Sequence, residues 1–241
     1  LCTFQRPESA RFGALKGAKR DRGGRVLGVR TRFATRFDAG RRLGARLADR
    51  YADADPVVLG LPRGGVPVAA EVAAALGARM DVFVVRKLGV PWQPELAFGA
   101  VASGGARVLN SDVVAAGRLD GATIDRLTEA AAAEVQRRER AYRGAGAAPE
   151  LRGRTVILVD DGIATGATVR AAVEAVRALG AAAVVVAAPV APQRVVAQLR
   201  EVADRVVVLV SAARFGSVGS FYGDFGQLSD LDVQDIMRAR D

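Results

Sequence analysis

The sequence predicts an α/β fold, a central and mostly parallel sheet with helices on both faces. Short runs that are apolar and rich in β-branched residues recur along the chain, as strands buried on both faces require (Val57–Leu61, Val82–Val85, Val156–Val159, Ala183–Ala187, Val206–Val210). Between most of them lie stretches whose apolar residues return at helical spacing. Strands alternating with helices in this way build a parallel sheet covered on both sides. A chain of 241 residues suits one core.

The elements follow in order. Residues 1–24 are polar, rich in arginine and lysine and without apolar periodicity, and read as a flexible basic extension; residues 25–241 then form a single domain, with order beginning near Phe33. Leu43, Leu47 and Tyr51 mark an amphipathic helix over Ala39–Ala52. The strand after Pro56 breaks at Pro62-Arg63-Gly64-Gly65, and an alanine-rich helix runs from Val66 to Leu76, where Gly77 can end it. Arg86 and Lys87 follow the next strand. The stretch from Leu88 to Gly105 is rich in proline and glycine and reads as a long loop of the kind that serves as a lid. Ile124, Leu127, Ala131 and Val135 share one face of a helix over Ala122–Tyr142. Helices are expected over Ala167–Leu179 and Gln193–Val202, and an irregular, aromatic tail from Arg214 ends in a short helix from Asp230.

Composition narrows the function. The net charge of +9 could serve nucleic acid, but the basic residues are spread along the chain and no DNA- or RNA-binding signature is present, so nucleic acid is not an expected partner. The absence of histidine excludes a histidine-based triad and a histidine zinc site. The longest apolar runs fall short of the ~20 residues a membrane-spanning helix needs. The start of the chain shows no secretory pattern, and Cys2 is the one cysteine, so a cytoplasmic setting is expected.

The most informative stretch is Val156-Ile157-Leu158-Val159-Asp160-Asp161-Gly162-Ile163-Ala164-Thr165-Gly166-Ala167-Thr168. An apolar strand ends in two carboxylates, and a loop with two glycines and two hydroxyls feeds directly into a helix. Amides at a helix start lack internal partners, and the dipole there favours an anion. Gly162 and Gly166 let the backbone turn and approach a ligand. No lysine follows the last glycine and the spacing is not G-x-G-x-x-G, so this is neither a P-loop nor a dinucleotide turn. Two carboxylates would repel a bare polyphosphate. They suit sugar hydroxyls, with one phosphate held by the loop beyond them, which describes a ribose 5-phosphate site.

This run resembles the fingerprint of type I phosphoribosyltransferases, and the resemblance extends from about Phe33 to Gln227. It implies that Asp160 and Asp161 hold the ribose 2- and 3-hydroxyls of 5-phosphoribosyl 1-pyrophosphate (PRPP), that Ala164, Thr165, Gly166, Ala167 and Thr168 wrap its 5-phosphate, and that Gly162 and Ile163 also belong to the PRPP-binding set. Many members carry Glu before Asp, whereas both residues are Asp here. Arg63, Gly64 and Gly65 would form the pyrophosphate loop, with the non-proline cis peptide that members often carry there falling at Arg63–Gly64. Arg86 and Lys87 would supply cations to pyrophosphate. Trp92–Gly105 would be the flexible catalytic loop. A small hood from the termini, about residues 25–40 and 211–241, would choose the acceptor; Phe215, Phe221, Tyr222 and Phe225 lie there, either to stack on a base or to form the hood's own core.

The implied reaction displaces pyrophosphate from ribose C1, with Asp160, Asp161, Lys87 and Arg63 as the catalytic set. Magnesium is the implied cofactor, held by Asp160 and Asp161 either directly or only through ribose or water. The implied partners are PRPP and a small-molecule acceptor such as a nucleobase, in a homodimer. The sequence resembles a bacterial subgroup whose acceptor is unassigned. A second reading is a non-catalytic, PRPP-binding regulatory protein.

Overall fold

The structure, a computed structural model, describes residues 33–144 and 146–239. The expected basic extension over 1–24 therefore lies outside the described residues.

Five parallel strands, β1 (Val57–Gly60), β2 (Arg79–Val82), β6 (Thr155–Val159), β7 (Ala183–Pro192) and β8 (Arg205–Ala212), form the main sheet in the order β2-β1-β6-β7-β8. β6 sits at the centre, with Val58 and Val185 flanking Ile157 in register. One face buries Leu43, Leu47, Val68, Val72 and Ile157 under α1 (Arg36–Tyr51) and α2 (Gly65–Leu76). The opposite face buries Leu158, Val173, Val176 and Leu199 under α5 (Ala167–Ala178) and α6 (Gln193–Leu199). The predicted parallel α/β architecture is what the chain adopts.

α1 starts where Thr35 caps it by accepting from the Asp38 amide, and α2 ends at Gly77, whose φ of 58° is left-handed. α1 and α2 pack unusually close: a Cβ on Gly40 would meet the Glu71 Cβ at 2.7 Å and the Val68 carbonyl at 2.8 Å.

Three expectations are corrected. The apolar run Val82–Val85 is not one strand. β2 ends at Val82, and β3 (Val85–Val90) begins a separate antiparallel sheet, completed by β4 (Gln93–Ala102) and β5 (Arg107–Leu109) in the order β3-β4-β5. Phe83 and Val84, both buried, bridge the two sheets, so no polar residue marks the break. The stretch 88–105 is accordingly not a long flexible loop but most of this sheet, with an exposed turn at Pro91-Trp92. Its glycines serve close strand approach: a Cβ on Gly89 would meet the Pro94 carbonyl at 2.5 Å. Finally, β7 runs on past Ala187 through Pro189, since beyond Ala187 it pairs with β8 alone and a residue without N–H is tolerated.

Between the sheets, α3 (Ser111–Ala116), which no sequence pattern announces, leads into α4 (Gly121–Arg143). Phe33, Phe221 and Tyr222 are buried together, with Phe215 and Phe225 against them, in a small aromatic cluster joined by hydrogen bonds from the Phe33 amide to the Phe221 carbonyl (2.8 Å) and from the Gly223 amide to the Phe33 carbonyl (2.7 Å). α7 (Asp230–Arg238) leaves that cluster and buries Val233 and Met237 with α4 instead.

Candidate functional site

The central strand sets the site. β6 is buried to Val159, and the chain then leaves the carboxyl edge of the sheet as Asp160-Asp161, where ligands of open α/β sheets sit. Two backbone bonds fix the turn: the Asp160 amide donates to the Ala187 carbonyl (3.2 Å) and the Ile163 amide to the Val190 carbonyl (2.9 Å). Ile163 is itself buried, so it anchors the loop and offers a ligand neither side chain nor donor. Gly166 has a φ of 78° and hands the chain to α5. Among the described residues, no acceptor takes the amides of Ala164, Thr165, Gly166 or Thr168. Thr165 and Thr168 are exposed beside them, and the Ala167 amide donates to Thr165 Oγ1 at 3.4 Å.

The turn after β1 lies against this one. The Leu61 amide donates to the Val159 carbonyl (2.9 Å). A Cβ on Gly65 would meet the same carbonyl at 2.5 Å, and one on Gly64 would overlap the Asp161 carboxylate. Both glycines are therefore fixed by the acidic pair's approach. The cis peptide is Pro62–Arg63, one bond before the expected Arg63–Gly64. The Arg63 side chain is exposed and reaches Asp230 at the start of α7 (3.8 Å), and Asp230 also accepts from the Tyr142 hydroxyl (2.6 Å).

Arg86 and Lys87 part company. They are neighbours in β3, and successive strand residues face opposite ways. Lys87 lines a cleft of about 590 Å³ with Thr165, Ala167 and Arg170, whereas Arg86 is not among its lining residues. Arg170, in the first turn of α5, is a cation that sequence reasoning missed, although it stands five residues beyond Thr165.

Arg36 is the second omission. Its Nε donates to Asp161 Oδ2 at 2.7 Å, an Nη donates to the Gly226 carbonyl at 2.9 Å, and the guanidinium lies 3.8 Å from the Phe225 ring centroid. The Tyr222 hydroxyl donates to the Asp161 carbonyl. No local pattern could have announced a residue 125 positions away in sequence.

The acids are strained electrostatically. Burial pushes the Asp160 carboxyl up, and the Asp161 charge pushes it further, while the Asp161 amide (2.9 Å to Asp160 Oδ1) and Arg36 pull it back. Burial also raises Asp161, against the hydrogen bond and charge of Arg36. Two adjacent carboxylates that resist ionising together suit a ligand bringing hydroxyl donors or a cation. Among the described residues, no group of three or more Asp, Glu, Cys or His could hold a metal alone.

A profile of the phosphoribosyl transferase domain matches residues 33–216. Two Mycobacterium tuberculosis proteins, from strains CDC 1551 and H37Rv and each provisionally named a phosphoribosyl transferase, are 54% identical over 202 residues. That match covers 83% of this chain and 45% of theirs, so the chain spans less than half the length of these relatives. The crystal structure of TT1426 from Thermus thermophilus superposes with a TM-score of 0.79 at 42% identity, over 87% of this chain and 99% of that one.

Proposed function

The chain belongs to the phosphoribosyl transferase family, and from that premise we propose that it moves the ribose 5-phosphate of PRPP onto a small-molecule acceptor, a nucleobase or related heterocycle, with release of pyrophosphate. The observation that carries this reading is the run of amides at Ala164, Thr165, Gly166 and Thr168 that no described residue accepts, directly beyond two carboxylates at the end of the central strand.

In this reading the amides and the Thr165 and Thr168 hydroxyls take the 5-phosphate, at the positive end of α5. Asp160 and Asp161 accept from the ribose hydroxyls and lie near the positive charge that develops as C1 loses its bond to pyrophosphate. Gly64 and Gly65 make room for the acidic pair beside the leaving group, and Lys87 neutralises that group as a compact point charge. Arg63 would have to leave its exposed pairing with Asp230 to join, at little cost for a pair so open to solvent. Asp160 and Asp161 would hold magnesium, hard carboxylate oxygens suiting that cation, and the ion would supply charge neutralisation to the leaving group. The aromatic cluster with Arg36 forms the hood over the acceptor position.

The test is pyrophosphate release from PRPP and magnesium across a panel of bases. Asp161→Asn and Lys87→Ala should each abolish release while leaving the melting temperature near that of the parent. Full activity in either would overturn these roles. Binding of PRPP without release on any acceptor would favour the regulatory protein.

A further inference from the structure

We infer that the open edge of β8 is a docking groove for an acidic polypeptide segment, which adds to the main sheet as a sixth strand. The groove lies away from the proposed ribose site and does not depend on that reading.

Among the described residues β8 is the last strand of the five-stranded sheet and pairs with β7 alone, so alternate N–H and C=O groups along it have no ladder partner there. It is eight residues long, and Val206, Val207, Val208, Leu209 and Val210 are all half-buried, although each packs inward on a core cluster. Edge strands of this length and apolarity are usually blunted by proline, a bulge or an inward charge. Within β8 none of these is present: the register with β7 is continuous from Val206 to Val208, and the only charge is Arg205 at its start.

The flanks of the edge are cationic. A cleft of about 500 Å³ runs along it, lined by Arg46 and Arg50 of α1, Arg200 beyond α6, Arg205, and Val206–Val208. Among the described residues none of these four arginines is ion-paired, and Asp49 is the one acid in the lining. Nearby Asp204 is already engaged by Arg177 (3.1 Å) and by the Val184 amide (2.7 Å). A strand entering here gains main-chain hydrogen bonds from the edge and affinity for its carboxylates from the arginines, the two components of strand addition.

Charge selects the occupant. A basic segment would meet like charge, and a second copy would bring the same four arginines to the edge. The fitting partner alternates acidic and aliphatic residues, with carboxylates towards the arginines and aliphatic side chains against Val206 and Val208.

The probe is a fluorescein-labelled seven-residue peptide of alternating glutamate and valine, followed by anisotropy with the full chain. Binding should weaken at least tenfold when lysine replaces glutamate, and again when alternate peptide nitrogens are methylated, which removes ladder donors but not charge. Arg46→Glu with Arg205→Glu should cause a similar loss, with the melting temperature and PRPP affinity unchanged. Equal binding of the methylated peptide would overturn strand addition. So would displacement of the peptide by tripolyphosphate or single-stranded DNA at similar concentration, or self-association through β8 shown by sedimentation.

Discussion

Asp161 is held from two sides: Arg36 grips its carboxylate and Tyr222 its carbonyl, while the carboxylate crowds Gly64. Of the forces on its proton, burial raises the pKa and Arg36 opposes it. A carboxyl with a raised folded pKa binds a ligand that needs the anion less well as pH falls through that value, by about tenfold per unit for each proton displaced. PRPP affinity should therefore fall as the pH is lowered towards the ordinary carboxylate range. In Arg36→Met the loss should set in at higher pH, because the opposing force is gone; calorimetric titration of PRPP with magnesium at several pH values checks this, and an unshifted profile would separate Arg36 from the acidic pair. The same raised pKa means that ionising Asp160 costs folding stability as pH rises above the unfolded value, so Asp160→Asn should melt higher than the parent at neutral pH and bind PRPP more weakly. The acid pair and its loop were legible in the sequence because their chemistry is contiguous. Arg36 was not, because only the folded chain brings it there, and the equivalence of Arg86 with Lys87 dissolved once strand pleating set them on opposite faces.

The helices over one face of the sheet depend on two small residues. Gly40 and Gly44, one turn apart on α1, let it approach α2 so closely that a Cβ at Gly44 would meet the Ala75 Cβ at 2.7 Å. Gly→Ala normally gains about 1 kcal/mol in a helix interior. At Gly40 overpacking against Glu71 and the Val68 carbonyl, worth about 1–3 kcal/mol, should outweigh that gain. Urea unfolding of Gly40→Ala should thus show a net loss of about 1 kcal/mol, and a gain would show that the helices part freely. Elements carrying strong periodicity, such as α1, α4 and α5, were readable to within a few residues. The β3-β4 hairpin was misread because Gly89 and Gly99 look like turn residues, whereas they admit the backbone of a neighbouring strand.

At the scale of the molecule, the parallel sheet is enclosed on both faces at β6 and opens towards β8, while β4 carries an exposed end at Gln93–Leu96. Amide exchange should follow that gradient, slowest in β6 and fastest at Gln93–Leu96. Adding PRPP with magnesium should slow the amides of residues 164–168 on the order of tenfold; no change there would leave the phosphate reading without its main support. The architecture was legible because buried parallel strands announce themselves by composition, but the second sheet was not, since its seam passes through uninterrupted apolar residues. A single guanidinium joins the Asp161 carboxylate to the aromatic cluster of Phe33, Phe221, Tyr222 and Phe225. On the proposed reading, whatever seats at that carboxylate is felt by the cluster through one shared cation. Loss of that cation should therefore slacken both, which faster amide exchange at Tyr222 and Gly226 in Arg36→Met would show.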